Sequence, residues 1–313
     1  MSEATSRRRR PWRGFRSVLC PIDFSKHSLV ALRYADVIAR RSGRRLLVQY
    51  VNDPLVMAAA GAAFHDRSLA TTSRRELQTF ADEALGSSGK SYTLRLLVST
   101  GDPADEILKL AKRARADLIV VGTHGLTGAE RILAGSTTLD LLQRTAVPVL
   151  AVPRAEDAAS SRVPSAWPGR RIVAAVDLEA HPQHIVKVAT DVAQWFGVPL
   201  RLLSVIKELS APAWLTRDLI AHDRIRLGQA QHAIDRLAAA ARRRVSTDTQ
   251  VACGNAAEEV AAAVAAAPTG LVLTELADRR SWFGAKRASI SYHVLSHGVA
   301  PVLAIPPHWP QRR

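Results

Sequence analysis

Apolar positions along this chain fall into short, largely apolar runs separated by longer stretches with helical spacing. Ser17–Ile22, Leu46–Val51, Tyr92–Val98, Leu118–Val121 and Val147–Val152 are the short runs of the first half. Such runs, bounded by turn residues, suit strands buried on both faces. Between them, Ser25–Arg41 carries Leu29, Leu32, Ala35, Ile38 and Ala39 at intervals that put them on one helical face, and Gly43 supplies a C-terminal stop. Arg67–Leu85, Pro103–Arg113 and Ser136–Arg144 are predicted as further helices, with Asp102 capping the second of these. Strands alternating with helices predict an α/β fold in which helices cover both faces of a parallel sheet. Ligands of such sheets bind at the carboxyl ends of the strands, here Asp23, Val51, Ser99 and Gly122.

The same order recurs in the second half. Asp23 and Asp177 each close a strand-like run, and Gly43 and Gly197 each follow a helical pattern; both pairs are 154 residues apart. Gly101 and Gly254, and Pro148 and Pro301, are 153 apart. Landmarks held to one residue over half a chain indicate duplication. Residues 154–169 contain Pro164, Pro168 and three serines with little apolar periodicity, which predicts a linker. The expected organisation is a basic tail over 1–13, a first repeat over 14–153, and a second over 170–307.

Length and composition fit this organisation: 313 residues are enough for two domains, with 47% apolar and 23% charged content. The net charge of +15 is concentrated in part at Arg7–Arg10, Arg13 and Arg16. A basic surface favours polyanions, but no nucleic-acid-binding motif accompanies it, so a solvated tail is expected rather than a nucleic-acid partner. Cys20 and Cys253 make neither a disulfide framework nor a metal site. No segment reaches the roughly 18 apolar residues of a membrane span, and the basic N-terminus lacks an apolar signal core. The expected compartment is therefore the cytoplasm.

The candidate chemistry lies after the fourth strand. Gly122-Thr-His-Gly125, nine further residues and Gly135-Ser136 lead from a buried strand to a helix start. Glycines let main-chain N–H groups approach an anion without an intervening Cβ, and a helix N-terminus adds donors and the positive end of its dipole. The Ser136 hydroxyl can donate to a phosphate oxygen. No Gly-Lys-Ser/Thr follows, so this is not a Walker A loop. Asp23, at the end of the first strand, either accepts hydrogen bonds from a ribose or adenine or caps the next helix, a role for which Ser25 competes. His124 can donate to phosphate or face solvent; Arg131 is expected to face solvent. Glu130 is the acidic residue of the loop, and no Walker B pattern is present. A protein that binds a phosphate-bearing ligand is therefore expected, with slow hydrolysis of that ligand or self-phosphorylation as the alternative.

Pro21-Ile-Asp23-Phe-Ser25, Gly101-Asp-Pro103, Asp117-Leu-Ile-Val-Val-Gly122, the glycine signature and Val147-Pro-Val-Leu-Ala-Val152 together resemble the ATP-binding class of the universal stress protein family. The resemblance implies two tandem five-stranded parallel sheets of order 3-2-1-4-5. It implies ATP, with or without magnesium, as ligand. Adenine would lie near Pro21, Ile22, Asp23 and Val51, and the phosphates near Gly122, His124, Gly125, Gly135, Ser136 and Thr137. Another adenine nucleotide, such as cyclic AMP, is an alternative ligand. The family role implied is stress-response regulation through contacts with a protein partner. Last strands commonly mediate dimerisation in this family, so the fifth strands are expected to pair within the chain, with a further homodimer left open.

The second repeat departs from that signature. Glu275, Asp278 and Ala288 stand where the first has Gly122, Gly125 and Gly135, while Ser289 matches Ser136. Two carboxylates at a phosphate site oppose an anion, so this repeat is expected to keep the fold and lose the ligand. Arg279, Arg280, Lys286 and Arg287 are read as an exposed basic loop.

Overall fold

A computed structural model describes residues 12–64, 69–86, 90–123, 135–153, 163, 167–180, 182–208, 216–266, 269–276 and 300–309. The first repeat runs β1 (Ser17–Ile22), α1 (Lys26–Ser42), β2 (Arg45–Asn52), α2 (Pro54–Phe64), α3 (Leu69–Leu85), β3 (Thr93–Thr100), α4 (Pro103–Ala114), β4 (Leu118–Gly122), α5 (Ser136–Arg144) and β5 (Val149–Val152). The second runs β6 (Arg171–Ala175), α6 (Pro182–Phe196), β7 (Leu200–Ile206), α7 (Thr216–Arg242), β8 (Thr247–Cys253), α8 (Ala256–Ala265), β9 (Thr269–Glu275) and β10 (Val302–Ile305).

Local chemistry sets the helix ends. The Ser25 side chain caps α1 by accepting the Ser28 N–H, and Gly43 closes the helix at a left-handed φ of 60°. Asp102 caps α4 in the same way through the Asp105 N–H, with Pro103 in the first turn. β5 is shorter than its apolar run, which begins at Val147; Pro148 precedes the first paired residue. Two helices, α2 and α3, fill the β2–β3 crossover, where the pattern predicted one. α2 escapes sequence reading because it is apolar all round, with no polar face to give it a period. Its Leu55 and Val56 are 79% and 63% exposed. In the corresponding crossover of the second repeat the described residues form the long helix α7.

The two repeats do not build separate sheets. One ten-stranded sheet runs β3-β2-β1-β4-β5-β10-β9-β6-β7-β8. All neighbours are parallel except at the centre, where β5 and β10 pair antiparallel. At that joint Leu150 faces Leu303, residues that are 153 apart and so equivalent in the two repeats. A second contact links equivalents as well: the Arg41 guanidinium donates to the Trp195 carbonyl from Nε (3.1 Å) and Nη2 (2.6 Å), across a separation of 154. Residues meeting their own repeat equivalents define a pseudo-two-fold axis, the geometry of an isologous interface.

Both faces of the sheet are covered. On one, α1, α3, α6 and α7 bury Val30, Leu32, Ile38, Leu77, Ile185 and Ile234 in a core common to both repeats. On the other, α4, α5 and α8 bury Ile107, Leu110, Leu141 and Val260. Aromatic rings close the first core where the repeats meet. Trp12 and Phe15 pack edge-on against Trp195 at 5.7 and 5.9 Å between centroids. Phe15 also stacks on Trp309 at 6.1 Å, and the Arg41 guanidinium carbon lies 5.4 Å from the Trp195 ring centroid. Gly14, at φ 85°, makes room for this cluster: a Cβ there would lie 2.3 Å from the Trp195 ring.

Candidate functional site

The carboxyl ends of β1, β2 and β4 lie side by side in the first repeat, where sheets of this kind open a crevice. β1 runs through half-buried Pro21 to buried Ile22, in register with Gln49 and Tyr50 of β2. Asp23 follows, half-buried. The choice of helix cap falls to Ser25, leaving Asp23 to accept the Ser25 N–H through Oδ1 at 3.0 Å. Phe24 takes a left-handed φ of 60°, a conformation that is unusual for a bulky residue and directs the chain sharply at this point. Its ring packs on Tyr50 at 4.5 Å and on Phe80 at 5.6 Å. Burial, followed by the charges of Asp23 and Asp53, pushes the Tyr50 phenol pKa upward. The mouth of the crevice at β1 and β2 is thus aromatic and acidic, with Val51 half-buried beside it.

The β4 side differs in kind. Thr123, buried just past Gly122, donates its N–H to Val152 O at 3.0 Å and accepts the Gly135 N–H at 2.6 Å. The Thr138 hydroxyl donates to Gly122 O at 2.9 Å. These bonds pin the start of α5 over the end of β4. Gly135 is the N-cap, without a side-chain capping bond, and the first turn of α5 carries no acidic residue. Ser136 is exposed and Thr137 half-buried in that turn. A helix start without a capping side chain or nearby carboxylate is an electropositive end with main-chain donors. His124, Gly125, Glu130 and Arg131 lie outside the described residues.

Two glycines have a different cause from the one the sequence suggests. Gly135 has φ −61°, and Gly122 is not among the glycines at positive φ; neither adopts a backbone conformation closed to other residues. Gly122 is instead crowded by the first turn of α1. A Cβ at this position would sit 3.0 Å from both the carbonyl carbon and oxygen of His27, and 3.2 Å from its Cβ. Its missing side chain lets α1 start close against β4. Sequence reading also overlooked Thr123 and Thr138, the residues that anchor the helix start. Their hydroxyls and amides act on partners that only the fold brings close.

In the second repeat, a side-chain pair forms at the end of β9. His184, in the first turn of α6, places Nδ1 2.7 Å from Glu275 Oε1 and Nε2 3.3 Å from the Trp309 carbonyl oxygen. Glu275 therefore turns inward against a basic group, rather than standing as a bare charge at the crevice as Coulomb repulsion alone would have it. The equivalents of His184 and Glu275 in the first repeat are Val30 and Gly122. Asp278, Ala288 and Ser289 lie outside the described residues.

Topology and site together define a duplicated, doubly wound α/β protein whose crevices lie at the carboxyl ends of its strands. The family model for the universal stress protein family matches residues 14–153 and 169–306. The chain belongs to that family, with two tandem family domains. A universal stress protein of Methanocaldococcus jannaschii is 33% identical over 142 residues, covering 44% of this chain and 82% of that protein. One of Thermus aquaticus is 33% identical over 138 residues, covering 44% and 98%. Among solved structures, a universal stress protein from Archaeoglobus fulgidus shares the fold across 95% of this chain and 97% of its own, with a TM-score of 0.63 at 17% identity. No helix among the described residues is long and apolar enough to cross a membrane.

Proposed function

We propose that the first repeat binds ATP and that the protein acts as a stress-response regulator whose contacts with a protein partner depend on that nucleotide. Adenine and ribose lie against Pro21, Ile22, Asp23 and Val51. The phosphates lie along Gly122, His124, Gly125, Gly135, Ser136 and Thr137. The single observation that carries this reading is the start of α5, without a capping side chain or first-turn carboxylate and pinned by Thr123 and Thr138 over the end of β4. That arrangement accepts phosphate oxygens, while the acidic Asp23 side accepts hydroxyl and amino donors. Among the described residues no cluster of His, Cys, Asp or Glu can hold a metal ion.

The second repeat contributes fold and interface rather than a second nucleotide site, because His184, Glu275 and Trp309 occupy its crevice. Calorimetric titration of the full chain with ATP, ADP and cyclic AMP tests the assignment. One ATP per chain is expected, bound more tightly than the other two. Absence of binding overturns the proposal, and two equivalent sites overturn the silence of the second repeat. Tighter cyclic AMP binding reassigns the ligand. Single-turnover measurement on the bound complex separates a nucleotide-holding protein from a slow ATPase.

A further inference from the structure

We propose that His184 is a pH-responsive latch that closes the second crevice onto the C-terminal segment and, through Trp309, onto the aromatic cluster between the repeats. The first ground is stoichiometry of donors. Both ring nitrogens of His184 face acceptors: a carboxylate at 2.7 Å and a main-chain carbonyl at 3.3 Å. A neutral imidazole has one N–H; only the imidazolium donates to both. The second ground is that the two side chains differ together between repeats. Val30 and Gly122 of the first become His184 and Glu275 of the second, an uncharged pair replaced by a complementary charged one. The third is what the latch holds. Trp309 is 7% exposed, and its ring stacks on Phe15 and meets Trp12 edge-on at 6.4 Å. Phe15 lies two residues before β1, so the C-terminal segment of one repeat is tied to the entry of the other.

The surrounding charges favour the closed form at low pH. The Glu275 hydrogen bond is the largest influence and raises the His184 pKa; burial opposes it, the Trp309 carbonyl and the Glu275 charge add to it, and Lys187 opposes it. Lys187 is itself drawn towards Asp191, at 2.9 Å, and Asp191 also pairs with Arg244. From the C-terminal segment comes His308, beside Trp309. A histidine whose folded pKa is raised stabilises the closed state fully below its unfolded value, and that contribution disappears as pH rises through the folded value. On deprotonation one of the two bonds loses its donor. The shorter bond to Glu275 keeps the remaining proton, and the Trp309 carbonyl then faces a lone pair.

Histidine Cε1 and tryptophan indole resonances of the full chain, followed by NMR from pH 5 to 9, test the latch. The His184 signal, assigned by its loss in His184→Gln, is expected to titrate above the ordinary histidine range, and Glu275→Gln is expected to move its midpoint down. The Trp309 indole signal, assigned with Trp309→Phe, is expected to change over the same pH range as His184 and to follow the midpoint in Glu275→Gln. A His184 midpoint at or below the ordinary value overturns the proposal. So does a Trp309 signal that stays constant while His184 titrates. Should His184→Gln not fold, sequential assignment of the His184 ring in the parent chain replaces it. None of these readouts depends on nucleotide binding.

Discussion

Adding one methyl group at Gly122 separates what that glycine does for the fold from what it does for a ligand. An alanine Cβ would lie 3.0 Å from the His27 carbonyl carbon and oxygen, well inside the roughly 3.5–4.0 Å of comfortable carbon contact. The obstacle is main chain, so no side-chain rotation relieves it; α1 must move by several tenths of an ångström. That helix buries Val30, Leu32, Ala35 and Ile38 in the shared core and resists such a shift. Overpacking of this kind costs roughly 1–3 kcal/mol, offset by about 0.4–1 kcal/mol because alanine restricts the unfolded chain. The net loss is about 1–2 kcal/mol, or roughly 2–8 °C in the unfolding midpoint of a repeat of this size. Differential scanning calorimetry of Gly122→Ala reads this directly, and ATP titration well below the midpoint reads the ligand. Gly122→Glu, which copies the second repeat without its His184 partner, is expected to be less stable still. An unchanged midpoint in Gly122→Ala refutes the packing argument; unchanged stability with lost affinity means that the glycine is there for the ligand alone.

Three further outcomes are expected. Ser136→Ala removes an exposed hydroxyl that is not the helix cap, so the unfolding midpoint should stay put while ATP affinity falls roughly tenfold or more, the worth of a hydrogen bond to a charged group; unchanged affinity in calorimetric titration removes Ser136 from the site. Gly14→Ala drives a Cβ into the Trp195 ring from a φ of 85° and should cost roughly 2–5 kcal/mol, combining overpacking with a left-handed backbone; urea unfolding measures it, and a loss under 1 kcal/mol contradicts the crowding. Gln231, Arg242 and Thr249 hold the Asp235 carboxyl down to about 2. Its stabilisation is therefore present above the unfolded carboxylate value and lost as pH falls towards 2. Asp235→Asn should flatten the acid limb of a urea-midpoint profile between pH 5 and 2, modestly because the side chain is 38% exposed; an acid limb identical to that of the parent chain excludes the linkage.

Much of the fold was legible because burial on both faces writes a strand as an apolar run, and β1 and β4 are such runs. The repeat was legible for the same reason, and its offset reappears physically where Leu150 meets Leu303. α2 was not, since an apolar stretch without a polar face carries no period. Of the site, the strand-to-helix passage at β4 and α5 could be read from Gly122 and Gly135, but their reasons could not. Gly122 is small because of His27, nearly a hundred residues earlier in the chain, and Glu275 turns inward because of His184 on another helix. Which of Asp23 and Ser25 caps α1 is a matter of local geometry that composition leaves balanced.

The antiparallel joint at the centre of the sheet has a consequence for how the halves could diverge. In a dimer of identical chains every interface substitution appears twice, and a residue near the axis confronts itself: Arg41 would have met another arginine. With both halves in one polypeptide the encounter is intramolecular, governed by an effective concentration set by the linker rather than by protein abundance, and each side can change alone. Arg41 against the Trp195 carbonyl and ring is the outcome at the axis. The same freedom allows the ends of β4 and β9 to differ, with a helix start free of a capping side chain near one and the His184–Glu275 contact at the other, a divergence closed to a symmetric pair.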